Sequence, residues 1–147
     1  MISPLTLEDC AEAARLHQAA FFRGWSQDSF QTTFQTSGTF GLQITDAGTL
    51  RGYLLWREVG EEAEILTIVV AAESQRKGHG RALFQAFEQI LRQRNVRVLF
   101  IEVAEDNEGA LYFYGCHGFL PLGRRLNYYP RDNNNSVSAL TFFKKIV

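Results

Sequence analysis

From Gly78 to Arg94 the apolar residues Ala82, Leu83, Ala86, Phe87, Ile90 and Leu91 recur with the spacing of a helix. They gather into one stripe, with polar residues on the remaining face, and make this the clearest helix of the chain. Two apolar runs flank it. Ala63 to Ala71 and Arg97 to Val103 are short, rich in β-branched residues and bounded by polar turns, so both read as buried strands. Upstream, Asp9 to Phe21 has Ala13, Leu16, Ala20 and Phe21 at helical spacing, and Phe22 to Gly24 breaks it. Ser26 is a candidate N-cap with Asp28 in the first turn, opening a short helix that carries Phe30 and Phe34. Thr39 to Thr45 alternates as a strand. Asp46-Ala47-Gly48 is a turn, Arg51 to Val59 is the returning strand of a hairpin, and Glu61-Glu62 marks the next turn. Downstream, Asn107 to Cys116 is a short helix, and Phe119 to Leu126 and Val137 to Lys145 are strands. Between them lie Asn127-Tyr128-Tyr129-Pro130 and a polar turn from Asp132 to Ser136.

The predicted order is β-α-α-β-β-β-α-β-α-β-β. It begins antiparallel and must turn partly parallel across the long helix, because a strand–helix–strand unit joins parallel neighbours. The fold class is therefore α/β with a mixed sheet. No repeat, low-complexity tract or Pro/Gly/Ser linker interrupts the 147 residues, which predicts one domain over 1–147.

Composition narrows the function classes. With 46% apolar residues the chain can bury a core, and a net charge of -1 gives no general attraction to nucleic acid or membrane. No apolar run approaches the roughly 20 residues of a membrane helix, and Met1 to Thr6 lacks the basic and apolar regions of a signal peptide. Cys10 and Cys116 stand in no metal-ligand spacing and read as reduced thiols of a cytoplasmic protein. His17 and His117 have no partner pattern, so no metal is expected.

The chemistry concentrates after the strand that ends at Ala71. Glu73-Ser74-Gln75-Arg76-Lys77-Gly78-His79-Gly80-Arg81 leads from that strand into the long helix. The first N–H groups of a helix lack partners and carry partial positive charge. Gly78 and Gly80 have no Cβ, which lets phosphate oxygens come close to the main chain, and Arg76 and Lys77 add formal charge. The anion that suits this loop is a pyrophosphate. A Rossmann fingerprint would need a third glycine where Leu83 stands, although Glu102 falls near the distance of a ribose-binding acid. A plain helix cap without ligand is the other alternative. Asn107 and Tyr114 at the next strand–helix junction count against it.

Gln75-Arg76-Lys77-Gly78-His79-Gly80, Asn107, Tyr114 and Gly118-Phe119 together resemble the GCN5-related N-acetyltransferase (GNAT) family over essentially the whole chain. Trp25-Ser26 with Phe30, Ile101-Glu102-Val103, Asp106-Asn107 and Arg124-Arg125-Leu126-Asn127-Tyr128-Tyr129-Pro130 look most like its ribosomal-protein alanine N-acetyltransferase group. The resemblance implies a V-split sheet of about seven strands with four helices, acetyl-CoA as cosubstrate, and direct transfer of acetyl to an amine. The implied acceptor is a protein's terminal α-amine, such as that of a ribosomal protein. A small-molecule amine is the alternative, and a non-catalytic CoA-binding module is a rival of another class. Monomer and homodimer are both compatible. The resemblance also implies that main-chain groups of Ile68, Val69 and Val70, beside a bulge, hold the thioester and pantetheine. It assigns Arg76, Lys77, Gly78, His79, Gly80 and Arg81 to the pyrophosphate and Asn107 to the arm. His79 would act through its N–H. Two departures face the acceptor. The acidic residues usual after Tyr-Tyr-Pro are Asn133-Asn134-Asn135-Ser136, and a proline usual before Trp-Ser is Gly24.

Glu102 near the end of a buried strand is either ion-paired or functional, because an unpaired buried charge is costly. The functional reading is a general base acting through a water. It suits an α-amine, with a pKa of about 8, better than a lysine at about 10.4. Tyr114 is the candidate acid for the departing thiolate. Tyr112 is its neighbour, and the family spacing selects Tyr114. Tyr128-Tyr129 is either a wall of the acceptor groove or an aromatic pair capping the sheet. Cys116 has no His/Asp arrangement around it and is not read as a nucleophile.

Overall fold

The computed structural model describes all residues from Met1 to Val147. The observed elements follow the predicted order: β1 (Ile2–Pro4), α1 (Cys10–Ala20), α2 (Gln27–Gln35), β2 (Thr39–Asp46), β3 (Thr49–Val59), β4 (Glu62–Val70), α3 (His79–Gln93), β5 (Val98–Ala104), α4 (Glu108–Cys116), β6 (Leu120–Pro130) and β7 (Ser136–Lys145). Three short 3-10 turns lie between them. The strands form one seven-stranded sheet ordered β1-β2-β3-β4-β5-β7-β6. Only β4 and β5 are parallel, and α3 connects them.

Local chemistry explains the element ends. Ser26 Oγ accepts from the Ser29 N–H at 3.1 Å and caps α2. Asn107 Oδ1 accepts from the Ala110 N–H at 3.1 Å and caps α4. Gly78 caps α3 with φ +82°, a left-handed conformation that favours glycine. One strand runs further than its residues suggest. β6 continues through Asn127-Tyr128-Tyr129 to Pro130, because Asn127 adopts φ +51° within an irregular stretch and pairing with β7 resumes at Tyr129–Val137.

Each face of the sheet has its own core. α3 and α4 cover one face, where Leu83, Phe84, Phe87 and Leu91 meet Leu54, Trp56, Ile65, Leu99, Ile101 and Val103. α1 and α2 cover the other, where Cys10, Ala13, Leu16 and Phe30 meet Tyr53, Leu55 and Val69. The Tyr53 hydroxyl donates to the Ala13 carbonyl at 2.9 Å, fastening α1 to β3. Both cysteines are free, and no helix is long and apolar enough to cross a membrane.

The α1–α2 connection lies directly on α1. A Cβ at Gly24 would stand 2.6 Å from the Gln18 Cα and the His17 carbonyl oxygen, and the Gly24 N–H donates to Phe21 at 3.2 Å. A proline there would lose that bond and collide with the helix, so glycine is what this path of the chain requires. His17 below it is buried, stacks on Trp25, and accepts the Trp25 N–H on Nδ1 at 3.0 Å. It is a core histidine, held neutral as an acceptor. Burial lowers its pKa from 6.5 to about 4. Between those values the unfolded chain binds a proton that the folded one does not. This contribution is therefore whole above pH 6.5 and is lost as the pH falls towards about 4, by an amount on the order of 3 kcal/mol. Urea unfolding across that window is expected to show the loss, and His17→Gln to flatten it. An equal slope in both proteins would refute the assignment.

Candidate active site

The site is built around a place where the sheet opens. β4 and β5 pair only from Glu62–Val98 to Ile65–Ile101. Beyond that point Leu66 to Val70 keep only β3 as a partner, and Glu102 to Ala104 keep only β7. A bulge coincides with the split. Leu55 faces Thr67 and Trp56 faces Ile65, so Leu66 is the extra residue. The bulge resets the pleat. Ile65 and Ile68 both pack on the α3 side, whereas Leu66 and Val69 both pack on the α1 side. The β4 edge from Ile68 to Val70 therefore runs beside the opening without a strand on it. An extended ligand can add there as a strand would. The Val70 carbonyl already accepts from Gln75 Nε2 at 3.3 Å.

The anion loop lies at the end of that edge. No main-chain N–H from Arg76 through Arg81 donates to a protein acceptor, and the first bond of the helix start runs from the Ala82 N–H to Gly78. A continuous run of free amides around a helix start is what a pyrophosphate needs. Arg76, Lys77 and Arg81 are exposed, and His79 is partly so. The protein itself also makes a demand at each glycine. A Cβ at Gly78 would meet nothing, so its need is the positive φ. A Cβ at Gly80 would lie 3.3 Å from Phe113 and 3.6 Å from Val70, so Gly80 serves close packing of α3 on α4 and β4. Gly80→Ala is thus expected to fold with a small loss. Gly80→Asp adds negative charge in the first helical turn, among the free amides, and is expected to weaken acetyl-CoA binding at least tenfold in calorimetric titration. Unchanged affinity in folded Gly80→Asp would remove the pyrophosphate from this loop.

Glu102 and Tyr114 belong to opposite faces of the sheet. Ile101 and Val103 belong to the α3-side core, so alternation turns Glu102 to the other face. There its carboxylate meets the Arg125 guanidinium at 3.0 Å, with Arg125 over the Tyr128 ring. Both readings of Glu102 thus have an observation behind them: it is ion-paired, and it is at the split. Tyr129 stands close by. Burial, and then the negative charge of Glu102, push its hydroxyl up to about 12. Tyr128 is half exposed and packs edge-on against Tyr129. The ends of β5 and β6 are strapped by two more pairs, Arg124–Glu105 at 2.8 Å and Arg131–Asp106 at 2.9 and 2.8 Å.

Tyr114 projects from α4 into the α3-side core, edge-on to Phe113 and Phe119. It is 3% exposed, its hydroxyl has no hydrogen-bond partner in the protein, and burial raises its pKa. Tyr112 is 76% exposed and lies outside the site. The sequence reading missed three members of this region: Arg125 as partner of Glu102, the proximity of Tyr129 to Glu102, and Thr67. A hollow of about 470 Å³ at the far end of the sheet, lined by Val98, Phe100, Leu122 and Phe143, contains none of these groups.

Comparison with known proteins agrees with this geometry. Residues 10–119 match the model of the acetyltransferase (GNAT) family. The chain is 33% identical over 139 residues to the [ribosomal protein bS18]-alanine N-acetyltransferase of Escherichia coli K12, covering 95% of this chain and 93% of the relative. It is 27% identical over 134 residues to a putative enzyme of the same description from Bacillus subtilis, covering 90% and 89%. The crystal structure of the ribosomal-protein-S18-alanine N-acetyltransferase from E. coli superposes with a TM-score of 0.92 at 30% identity, covering 99% of this chain and 93% of that one. Ard1 from Thermoplasma volcanium superposes at 0.88 with 25% identity, covering 100% and 97%.

Proposed function

The chain belongs to the acetyltransferase (GNAT) family, and we propose that it acetylates the N-terminal α-amine of a protein. An alanine terminus is the preferred acceptor, as the names of its bS18-directed relatives suggest. The observation that carries this reading is a split sheet with an open β4 edge and a free amide run at one end, with Glu102 and Tyr114 on opposite faces of that sheet.

The cosubstrate acetyl-CoA supplies the activated acyl group. The free amides of Arg76 to Arg81 suit its pyrophosphate, with Arg76, Lys77 and Arg81 adding charge. The edge from Ile68 to Val70 suits the pantetheine arm. One N–H of that edge polarises the thioester carbonyl, a contribution worth roughly 10²–10³ in rate. Asn107 caps α4 with its Oδ1, which leaves its amide nitrogen for the arm. The acceptor amine enters on the α1 face, where Glu102 takes its proton through a water. Tyr114 donates from the opposite face to the sulfur as the C–S bond breaks. The amine nitrogen is thus bonded to the acetyl carbon, and the thiolate leaves with a hydrogen bond to support it.

The reading is tested by acetyl transfer to peptides beginning with Ala, Ser or Met, beside polyamines and aminoglycosides. A clear kcat/KM preference for Ala-initiated peptides is expected. A polyamine or aminoglycoside turned over faster than every peptide would move the acceptor to the small amines.

A further inference from the structure

Two buried side-chain oxygens have no hydrogen-bond partner, Thr67 Oγ1 and Glu88 Oε2. The second lies 2.6 Å from the Lys144 ammonium, so its charge is compensated. The Thr67 hydroxyl has nothing, in a residue only 6% exposed. A buried hydroxyl without a partner destabilises the fold, because its lost hydration is not replaced. Valine would fill the same volume without that cost, and the next residues of β4 are indeed Ile68, Val69 and Val70.

The place of Thr67 says what the hydroxyl is for. It is the second residue of the β4 bulge and lies just past Ile65, where pairing with β5 ends. It faces Leu55, a member of the α1-side core, so its side chain is on the α1 face. Glu102 projects to the same face from the other lip of the split, one residue beyond the last pair, Ile65–Ile101. The two lips thus carry a carboxylate and a buried, unused hydroxyl on the same face of the sheet, the one proposed above for the acceptor.

We propose that the Thr67 hydroxyl is a positioning group for the attacking amine, an inference that rests on the acetyltransfer reading above. A neutral primary amine has two N–H bonds and one lone pair. One N–H is directed to Glu102 or its water, the other to Thr67 Oγ1. The lone pair is then left pointing into the plane of the split, towards the thioester carbon. Holding a nucleophile in line in this way is a large source of rate, and a misplacement of about 1 Å can cost about 10²-fold.

The test compares Thr67→Val and Thr67→Ser with the wild type on the Ala-initiated peptide. Thr67→Val is expected to lower kcat/KM by about 10–100-fold, chiefly through kcat. Its melting temperature should equal or exceed that of the wild type, and its acetyl-CoA affinity by calorimetry should not change. Thr67→Ser, which keeps the hydroxyl, should restore most of the rate. Wild-type kcat/KM in Thr67→Val, or a serine variant as slow as the valine one, would overturn the proposal and leave Thr67 a packing residue. If the wild type prefers another amine to every peptide, the acceptor reading fails by itself. The same three proteins compared on that amine then decide the role of Thr67.

Discussion

Replacing Tyr114 by phenylalanine is expected to lower kcat by about 10²–10⁴, with acetyl-CoA affinity and melting temperature nearly unchanged. Phenylalanine keeps the edge-on contacts with Phe113 and Phe119. The hydroxyl has no protein partner, so its removal breaks no internal hydrogen bond. Burial raises the Tyr114 pKa, so the group is a protonated donor at every working pH. A donor so reluctant to ionise keeps its proton and supports the departing thiolate through a hydrogen bond that strengthens as negative charge builds on the sulfur. Tyr112→Phe is the control, because that side chain faces solvent. Full activity in Tyr114→Phe with loss in Tyr112→Phe would reverse the assignment.

Glu102→Gln is the second large effect, and its pH dependence identifies both base and acceptor. The rate should fall by about 10²–10⁴ near neutral pH and recover as the pH rises past about 8, where an α-amine is already neutral. With a lysine acceptor, recovery would begin only towards about 10.4. The ion pair with Arg125 offers the competing account, in which Glu102 is structural. The Arg125 guanidinium is 61% exposed, and such a pair is worth about 0–1 kcal/mol. Its loss should therefore hardly move the melting temperature. A variant with wild-type kcat/KM across the pH range would end the role of Glu102 as base, whatever its stability.

The Arg125 pair also bears on the acceptor. Glu102, Glu105 and Asp106 at the end of β5 are each matched by an arginine near β6. With Asn133, Asn134 and Asn135 in the following turn, this side of the split has no surplus of negative charge. An acceptor groove on this side would be lined by Tyr128, Tyr129 and these arginines, two of which lie over the tyrosine rings.

The element order, the long amphipathic helix, the hairpin of β2 and β3 and the loop Gln75 to Gly80 were all legible in the residues. Periodicity reports local burial, and turn and cap chemistry acts over a few neighbours. Ser26 and Asn107 cap the helices they were expected to cap for that reason. The extent of β6 was not legible, because Asn127 to Pro130 has the composition of a turn and only pairing with β7 holds it extended. The demands that the protein itself makes on the two glycines divide in a similar way. The contact of Gly80 with Phe113 joins residues far apart in the chain, whereas the positive φ of Gly78 is a local demand. The ion pair of Glu102 with Arg125, the exact place of the bulge at Leu66 and the unpartnered hydroxyl of Thr67 were decided by tertiary structure alone, although the family resemblance implied a bulge near Ile68. Each depends on strand register, and register is set by which distant segments share a face of the sheet, a relation that no local pattern in a single strand contains.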